Sequence, residues 1–351
     1  MLLIYSQVGL DTILNNYLLF IMGKEIEIVI IGFASIDIFN LDSCRSSDST
    51  NKFLAVPGGS SANVAVGLSK LGVKTCLISK LGQDAFGKVL LKTLKKYGVD
   101  TKGIKFTEKA RTPLVFISKK DKKKVLFYRN PGSDMKLLKR DIKKSCFKNA
   151  FLFHFDSVCL TDKPELTAVN QALNYAKENN LIFSFDVNYR KMLWKNKKLA
   201  VKRIKEAIRK VDLVKLNTSE LFVLFRTKNI NAGSGKILEI SNKTKMVIIT
   251  DGKEGSYIRT RKSFKFMRAI DIPVVETTGC GDSFMAAFLS KILEILKMKM
   301  RLEDITDEVL EKILLYSNTA GAITSSKEGV IPVLPTKKDV ESLLNYKGLS
   351  N

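Results

Sequence analysis

Two glycine-rich segments hold the residue types that could do chemistry. In Glu276-Thr277-Thr278-Gly279-Cys280-Gly281-Asp282-Ser283-Phe284, small residues run straight into the helical pattern Met285-Ala286-Ala287-Phe288. Successive backbone N–H groups at a helix N-terminus form an anion site, and the small residues at 279–281 leave room for a phosphoryl group. Asp282 falls in that positive terminus, where the helix dipole favours its ionised form. An ionised carboxylate beside an anion cradle is what deprotonation of a hydroxyl needs during phosphoryl transfer. The competing reading is a plain helix cap, for which Asp is well suited.

The second segment is Pro57-Gly58-Gly59-Ser60-Ser61-Ala62-Asn63-Val64-Ala65. Gly58 and Gly59 let the backbone approach a ligand closely, and Ser60 or Ser61 can cap the helix that follows. Asn63, one turn in, offers an amide that both donates and accepts, as a polyol ligand requires. A tight turn with a cap explains the same residues without a ligand. No Gly-x-x-x-x-Gly-Lys-Ser/Thr loop and no protein-kinase motif set occurs. A nicotinamide site is disfavoured, because Gly-x-Gly-x-x-Gly does not follow the first strand.

The elements that must position these segments alternate between strand and helix. The β-branched run 26–32 reads as a strand buried on both faces. Helical spacing follows over 60–71, a short strand at 75–79 and a helix at 84–97. Residues 112–118 and 124–129 alternate like an antiparallel hairpin projecting from the core, with Lys119-Lys120-Asp121-Lys122-Lys123-Lys124 at its tip. Further strands are expected at 151–155, 181–186, 212–216 and 246–250. Further helices are expected at 163–178, 197–210, 218–226, 281–297, 307–325 and 337–345. This is the rhythm of βαβ units and a parallel sheet.

Composition narrows the class further. The chain has 351 residues, 45% hydrophobic and 27% charged, which excludes disorder, collagen and low-complexity architectures for the whole chain. Its formal charge of +24 attracts polyanions in general, yet the lysines are spread along the chain and read as solvated faces. Five cysteines, an odd number with no Cys-x-x-Cys pair, fit a reducing cytosol rather than a disulfide framework or a zinc site. His154 is the one histidine, set in the apolar run 151–155, and reads as a core imidazole. Residues 1–22 form an extension of unassigned role. Their apolar stretch 17–22 is too short to span a bilayer and lacks the flanks of a signal peptide.

Taken together, these residues resemble the ribokinase-like, or PfkB, family of carbohydrate kinases, over roughly 26–340. Gly32 to Asp37 resembles the family's first strand, Gly58-Gly59 with Asn63 its first signature, and Gly279-Cys280-Gly281-Asp282 its second. Asn217-Thr218-Ser219-Glu220 matches its Asn-x-x-Glu segment, and Thr250-Asp251-Gly252-Lys253-Glu254-Gly255 resembles its nucleotide-side loop. Glu276 and Cys280 stand where the family commonly has Asp and Ala. Within the family the resemblance is strongest to fructokinases, through Phe127-Tyr128-Arg129-Asn130-Pro131, His154-Phe155-Asp156-Ser157 (Asp for Gly) and Phe185-Asp186-Val187-Asn188-Tyr189-Arg190 (Val for Pro).

The resemblance implies a three-layer α/β/α core with a mostly parallel sheet and a small β-sheet lid. It implies one kinase domain over 23–351, with lid strands within 37–57 and 104–130. The implied reaction is ATP-dependent phosphorylation of a sugar hydroxyl, fructose at O6, in the cytoplasm. Asp37, Gly58, Gly59 and Asn63 would hold the sugar, with Arg129 reaching from the lid and Arg190 stabilising phosphoryl charge. Asn217 and Glu220 would position Mg²⁺ through water. Thr250, Gly252, Gly255 and Asn318 would line the nucleotide, and Glu276 is a candidate for a K⁺ site. Asp282 would be the base, with the N–H groups of 279–281 as the anion hole. Alternative acceptors are 2-keto-3-deoxygluconate and a nucleoside. A non-catalytic homologue and a charge-driven nucleic-acid binder are the readings from other classes, and no nucleic-acid motif supports the latter. The lid edges suggest a homodimer.

Overall fold

A computed structural model describes residues 26–40, 52–117 and 125–349. The N-terminal extension, Cys44, the lysine-rich hairpin tip and much of the stretch between the first two lid strands lie outside the described residues. In chain order the regular elements are β1 (Ile28–Ile31), β2 (Ser35–Asn40), β3 (Phe53–Gly58), α1 (Ser60–Lys70), β4 (Thr75–Gly82), α2 (Ala85–Lys96), β5 (Ile104–Thr107), β6 (Leu114–Ile117) and β7 (Val125–Tyr128). They continue with β8 (Leu152–Asp156), α3 (Glu165–Glu178), β9 (Ile182–Asp186), α4 (Lys197–Ile208), β10 (Leu213–Asn217), α5 (Thr218–Phe225), α6 (Ile230–Glu239) and β11 (Met246–Thr250). β12 (Gly255–Arg259), β13 (Phe264–Arg268), α7 (Cys280–Lys297), α8 (Asp307–Ser325) and α9 (Lys337–Tyr346) complete the chain.

The main sheet has nine strands in the order β13-β12-β11-β10-β9-β8-β1-β4-β5. The run from β11 to β5 is parallel, and β12 and β13 add antiparallel at one edge. Strand alternation builds the two helical layers. Ile28 and Ile30 of β1 enter a core with residues of α1, α2, α7, α8 and α9. Val29 and Ile31 enter the opposite core, with residues of α3, α4, α5 and α6. Both faces are therefore covered, which explains why the central strands read as unbroken apolar runs. This is the expected three-layer α/β/α architecture.

The second sheet is small, with order β3-β2-β6-β7. β6 and β7 form the expected antiparallel hairpin, Leu114 opposite Tyr128, and β2 pairs in parallel with β6. One face carries Asp37, Phe39, Val115 and Ile117. The apolar members of that face cluster with Phe33, Val158 and Val330 of the main body. The lid is fastened at its base by Asp84, the N-cap of α2, which accepts from Thr112 N at 2.8 Å and Thr112 Oγ1 at 2.8 Å.

Three regions depart from the periodicity reading. α6 was not expected, because Gly233, Gly235, Asn231 and Ser234 dilute its helical signal. Gly233 is required by packing, since a Cβ there would lie 2.7 Å from Leu221 Cδ2. β12 opens with the small buried pair Gly255 and Ser256 and β13 is half-buried to exposed along its length, so their alternation is weak. The third departure is Arg129, assigned above to the sugar. Its guanidinium is instead 3% exposed and consumed in a latch beneath the lid. Nε donates to Asp134 Oδ2 at 2.6 Å, Nη2 to Glu165 Oε2 at 2.7 Å and Nη1 to Thr161 Oγ1 at 2.9 Å. The neighbouring carboxylates hold it firmly protonated despite burial. Arg129→Met would strand two buried carboxylates, so urea unfolding should show a loss of about 3–5 kcal/mol. A loss below about 1 kcal/mol would mark the latch as no stronger than an exposed pair.

Candidate active site

The parallel strands β1, β8, β9, β10 and β11 all end on one side of the main sheet, the usual position for a ligand crevice in such folds. The N-terminus of α7 lies over these ends. Gly279 precedes α7 with φ 82° and ψ −7°, a left-handed conformation that a side chain would strain. A Cβ there would also stand 2.7 Å from Val330 Cγ1. Cys280 and Gly281 are the first two helical residues and Asp282 the third; Cys280 N donates to Thr277 O at 3.3 Å in the preceding turn, while the N–H groups of Gly281 and Asp282 have no intrahelical acceptor.

Asp282 makes no cap bond, contrary to the plain-cap reading. It accepts from Asn63 Nδ2 at 2.8 Å. One contact thus joins the two glycine-rich segments, 219 residues apart in the chain. Asp282 is half-buried. Loss of solvent raises its pKa from 3.8 to about 6, while Asn63, Lys215 and Arg190 pull it down and Asp186 pushes it up.

The sugar-side residues gather next to it. Asp37 is buried and accepts from Ser35 Oγ at 3.0 Å. Burial raises its pKa to about 7, opposed by the Ser35 bond, with Asp282 adding to the rise and Arg190 opposing it. Any Cβ on Gly58 would collide with the Asp37 carboxylate. Gly59, at φ 95°, would place one 2.6 Å from Ala34 Cα. Both glycines are therefore obligatory where β2, β3 and α1 meet. Asn63 Oδ1 is buried and has no protein partner. Arg190 is exposed, and its charge reaches both Asp37 and Asp282.

On the nucleotide side, Asn217 and Thr250 are register partners at the ends of β10 and β11. Asn217 and Glu220 form a capping box: Asn217 Oδ1 accepts Glu220 N at 2.9 Å and Glu220 Oε2 accepts Asn217 N at 2.8 Å. Glu220 Oε1 accepts Tyr189 N at 2.7 Å. Both carboxylate oxygens are thus held by backbone. Thr218 Oγ1 donates to Asp251 Oδ1 at 2.8 Å, and Gly252 turns at φ 56° in the exposed loop before Gly255.

Two further expected residues are held by bonds within the protein. Asn318 of α8 spends its amide on the sheet, accepting from Ser256 Oγ at 2.8 Å and donating to Met267 O at 3.0 Å and Arg268 O at 3.1 Å. These bonds clamp β12 and β13 to α8. Glu276 Oε1 takes three bonds from its own loop, from Thr277 N, Thr278 N and Thr278 Oγ1 at 2.7–3.1 Å. It stiffens the approach to the anion cradle through Oε1, and Oε2 takes none of these three bonds. No cluster of three metal-ligating side chains exists among the described residues.

A buried charge chain was missed from sequence. Lys215 Nζ pairs with Asp186 Oδ2 at 2.8 Å, and Asp186 Oδ1 accepts Asn188 N at 3.2 Å. Asn188 Nδ2 donates to Asp156 Oδ2 at 3.1 Å, and the same oxygen accepts from Ser60 Oγ at the start of α1. The available signal was a lysine interrupting the apolar strand Leu213-Val214-Lys215-Leu216. His154 lies alongside, bonded through Nδ1 to Ser184 Oγ at 3.0 Å, and burial holds it neutral with a pKa pushed down to about 4.

Comparison with known proteins agrees with this geometry. The model of the pfkB family of carbohydrate kinases matches residues 25–337. Probable fructokinase-5 of Arabidopsis thaliana is 36% identical over 329 residues, covering 93% of this chain and 99% of the relative. Fructokinase-2 of Solanum lycopersicum is 36% identical over 294 residues, covering 83% and 88%. The crystal structure of fructokinase with bound ATP from Xylella fastidiosa superposes with TM-score 0.82 at 26% identity, covering 92% of this chain and 99% of that one. Motifs, fold and relatives converge: the chain belongs to the pfkB family of carbohydrate kinases.

Proposed function

We propose that the protein transfers the γ-phosphoryl group of ATP to fructose at O6. The observation that carries this reading is Asp282, set at the N-terminus of α7, fastened to Asn63 and poised near neutral pH. The fructokinase relatives support the acceptor, and the ATP-bound relative supports the donor.

Asp37, Gly59 and Asn63 line the acceptor side. The unpartnered Asn63 Oδ1 is ready to take a sugar hydroxyl as donor. Asp282 accepts the proton of the attacking hydroxyl, and the backbone N–H groups at the start of α7 stabilise the charge moving onto the phosphoryl oxygens. Arg190 adds positive charge from an exposed position. Mg²⁺ bound with ATP neutralises phosphate charge. Because both Glu220 oxygens are occupied by backbone, this chain's residues fit such a cation through water. No step is routed through K⁺. The four carboxylates Asp37, Asp156, Asp186 and Asp282 outnumber the nearby cations Lys215 and Arg190, which favours a neutral polyol over a sugar acid such as 2-keto-3-deoxygluconate. Work on free sugars fits the cytoplasm, and no described helix is long and apolar enough to cross a membrane.

ADP release in the presence of ATP and Mg²⁺ should depend on fructose. It should exceed that with 2-keto-3-deoxygluconate, ribose or adenosine. A preference for another acceptor would keep the chemistry and overturn the pocket reading. Asp282→Asn should lower turnover by about 10²–10⁴ while ATP still binds. Near-normal turnover would remove Asp282 as the base. The base works ionised, so the rate should fall as pH drops through about 6 and level off above it. A plateau extending well below that pH would contradict the assignment.

A further inference from the structure

Lys215 sits where electrostatics would not place a cation for packing alone. It lies in the apolar strand β10 and is 7% exposed. A Cβ built on Gly281 would stand 3.2 Å from its Nζ, so the ammonium rests against the second residue of α7. That is the positive pole of an 18-residue helix, the end that repels cations. Burial adds a desolvation cost. An apolar side chain of similar length would fill the same space without either penalty.

The compensation comes from three carboxylates on three elements. Asp186 of β9 pairs with Lys215 directly, and Glu220 of α5 and Asp282 of α7 add their charge, keeping the amine protonated. We propose that Lys215 is a positioning residue for phosphoryl transfer: its ammonium, anchored by Asp186, supplies the counter-charge that lets Asp282 accept the hydroxyl proton. The inference rests on Asp282 being the base.

The other groups facing Asp282 cannot substitute. Asn63 of α1 is neutral, Asp186 of β9 carries the wrong sign, and Asp37 of β2, held by burial at a pKa of about 7, supplies no positive charge in either form. Arg190 has the right sign but is exposed, so water screens it. On the far side of Lys215, His154 of β8 is held neutral. Lys215 is therefore the buried cation that balances the base. Gly281 is small for two reasons, to open the anion cradle and to admit this ammonium.

The test is the pH profile of kcat/KM for fructose, which reports groups of the free enzyme. Lys215→Met should move the acidic limb upward by about one pH unit or more, with activity partly recovered at high pH. Asp186→Asn should move it downward, because a charge that opposes ionisation of Asp282 is removed. Lys215→Arg should keep the limb near its original place. If Lys215→Met does not fold, Lys215→Gln, which keeps a polar partner for Asp186, takes its place, and an upward shift of the limb there decides. Limbs unmoved in the folded variants, with turnover lowered equally at every pH, would overturn the proposal and leave Lys215 a packing residue. Asp282→Asn run in parallel separates the two readings. Full turnover there removes the base itself. An inactive Asp282→Asn with unmoved limbs removes only the role of Lys215.

Discussion

The structure depends on keeping charge in a place where water is scarce. Asp37, Asp156, Asp186 and Glu220 are each less than one-tenth exposed, and Asp282 is half-buried beside them. Isolated, such groups would take up protons rather than stay ionised. They are tolerated because each is tied to a donor or a cation: Asp37 to Ser35, Asp282 to Asn63, Asp186 to Lys215, Asp156 to Ser60 and Asn188, Glu220 to two backbone N–H groups. The ties come from β2, β8, β9, β10, α1 and α5, so the site exists only when the parallel sheet has formed and its strand ends are side by side.

Sterics impose the second constraint. The elements that carry these groups approach so closely that side chains are excluded at the crossings. Gly58 clears the Asp37 carboxylate, Gly59 clears the turn after β1, and Gly279 clears Val330. The last two also adopt positive φ, which only glycine holds without strain. The signature glycines are thus spacing devices. They let a helix N-terminus, a carboxylate and an amide converge on a volume the size of a phosphoryl group and a sugar hydroxyl.

Much of this was legible in the sequence, and the rest was hidden for identifiable reasons. The helices now called α7, α8 and α9 lie within a residue of their expected bounds, because long amphipathic periods are strong signals. Gly279 to Asp282 and Gly58 to Asn63 stood out because paired glycines run into a helix that carries an Asp or Asn in its first turn, where an anion cradle and a polar side chain meet. Arg129 was read toward the sugar from its local motif, but its partners are Asp134, Thr161 and Glu165, up to 36 residues away. Asn318 matched a nucleotide role by position, while its amide closes a contact to strands 50 to 62 residues distant. Lys215 was hidden by its own strand, where one polar residue amid apolar neighbours looks like noise until Asp186 is seen opposite. Local pattern reveals elements and glycine cradles. Which buried charges face each other is a property of the closed fold.

The measurement that tests this account most directly is a ¹³C NMR titration of aspartate carboxyl carbons, with Asp282 assigned by loss of its signal in Asp282→Asn. The account predicts a carboxyl that titrates near pH 6, well above the 3.8 of an ordinary aspartate. An Asp282 signal titrating at that ordinary value would contradict it, because the site would then be open to water and unable to hold a base poised for proton transfer.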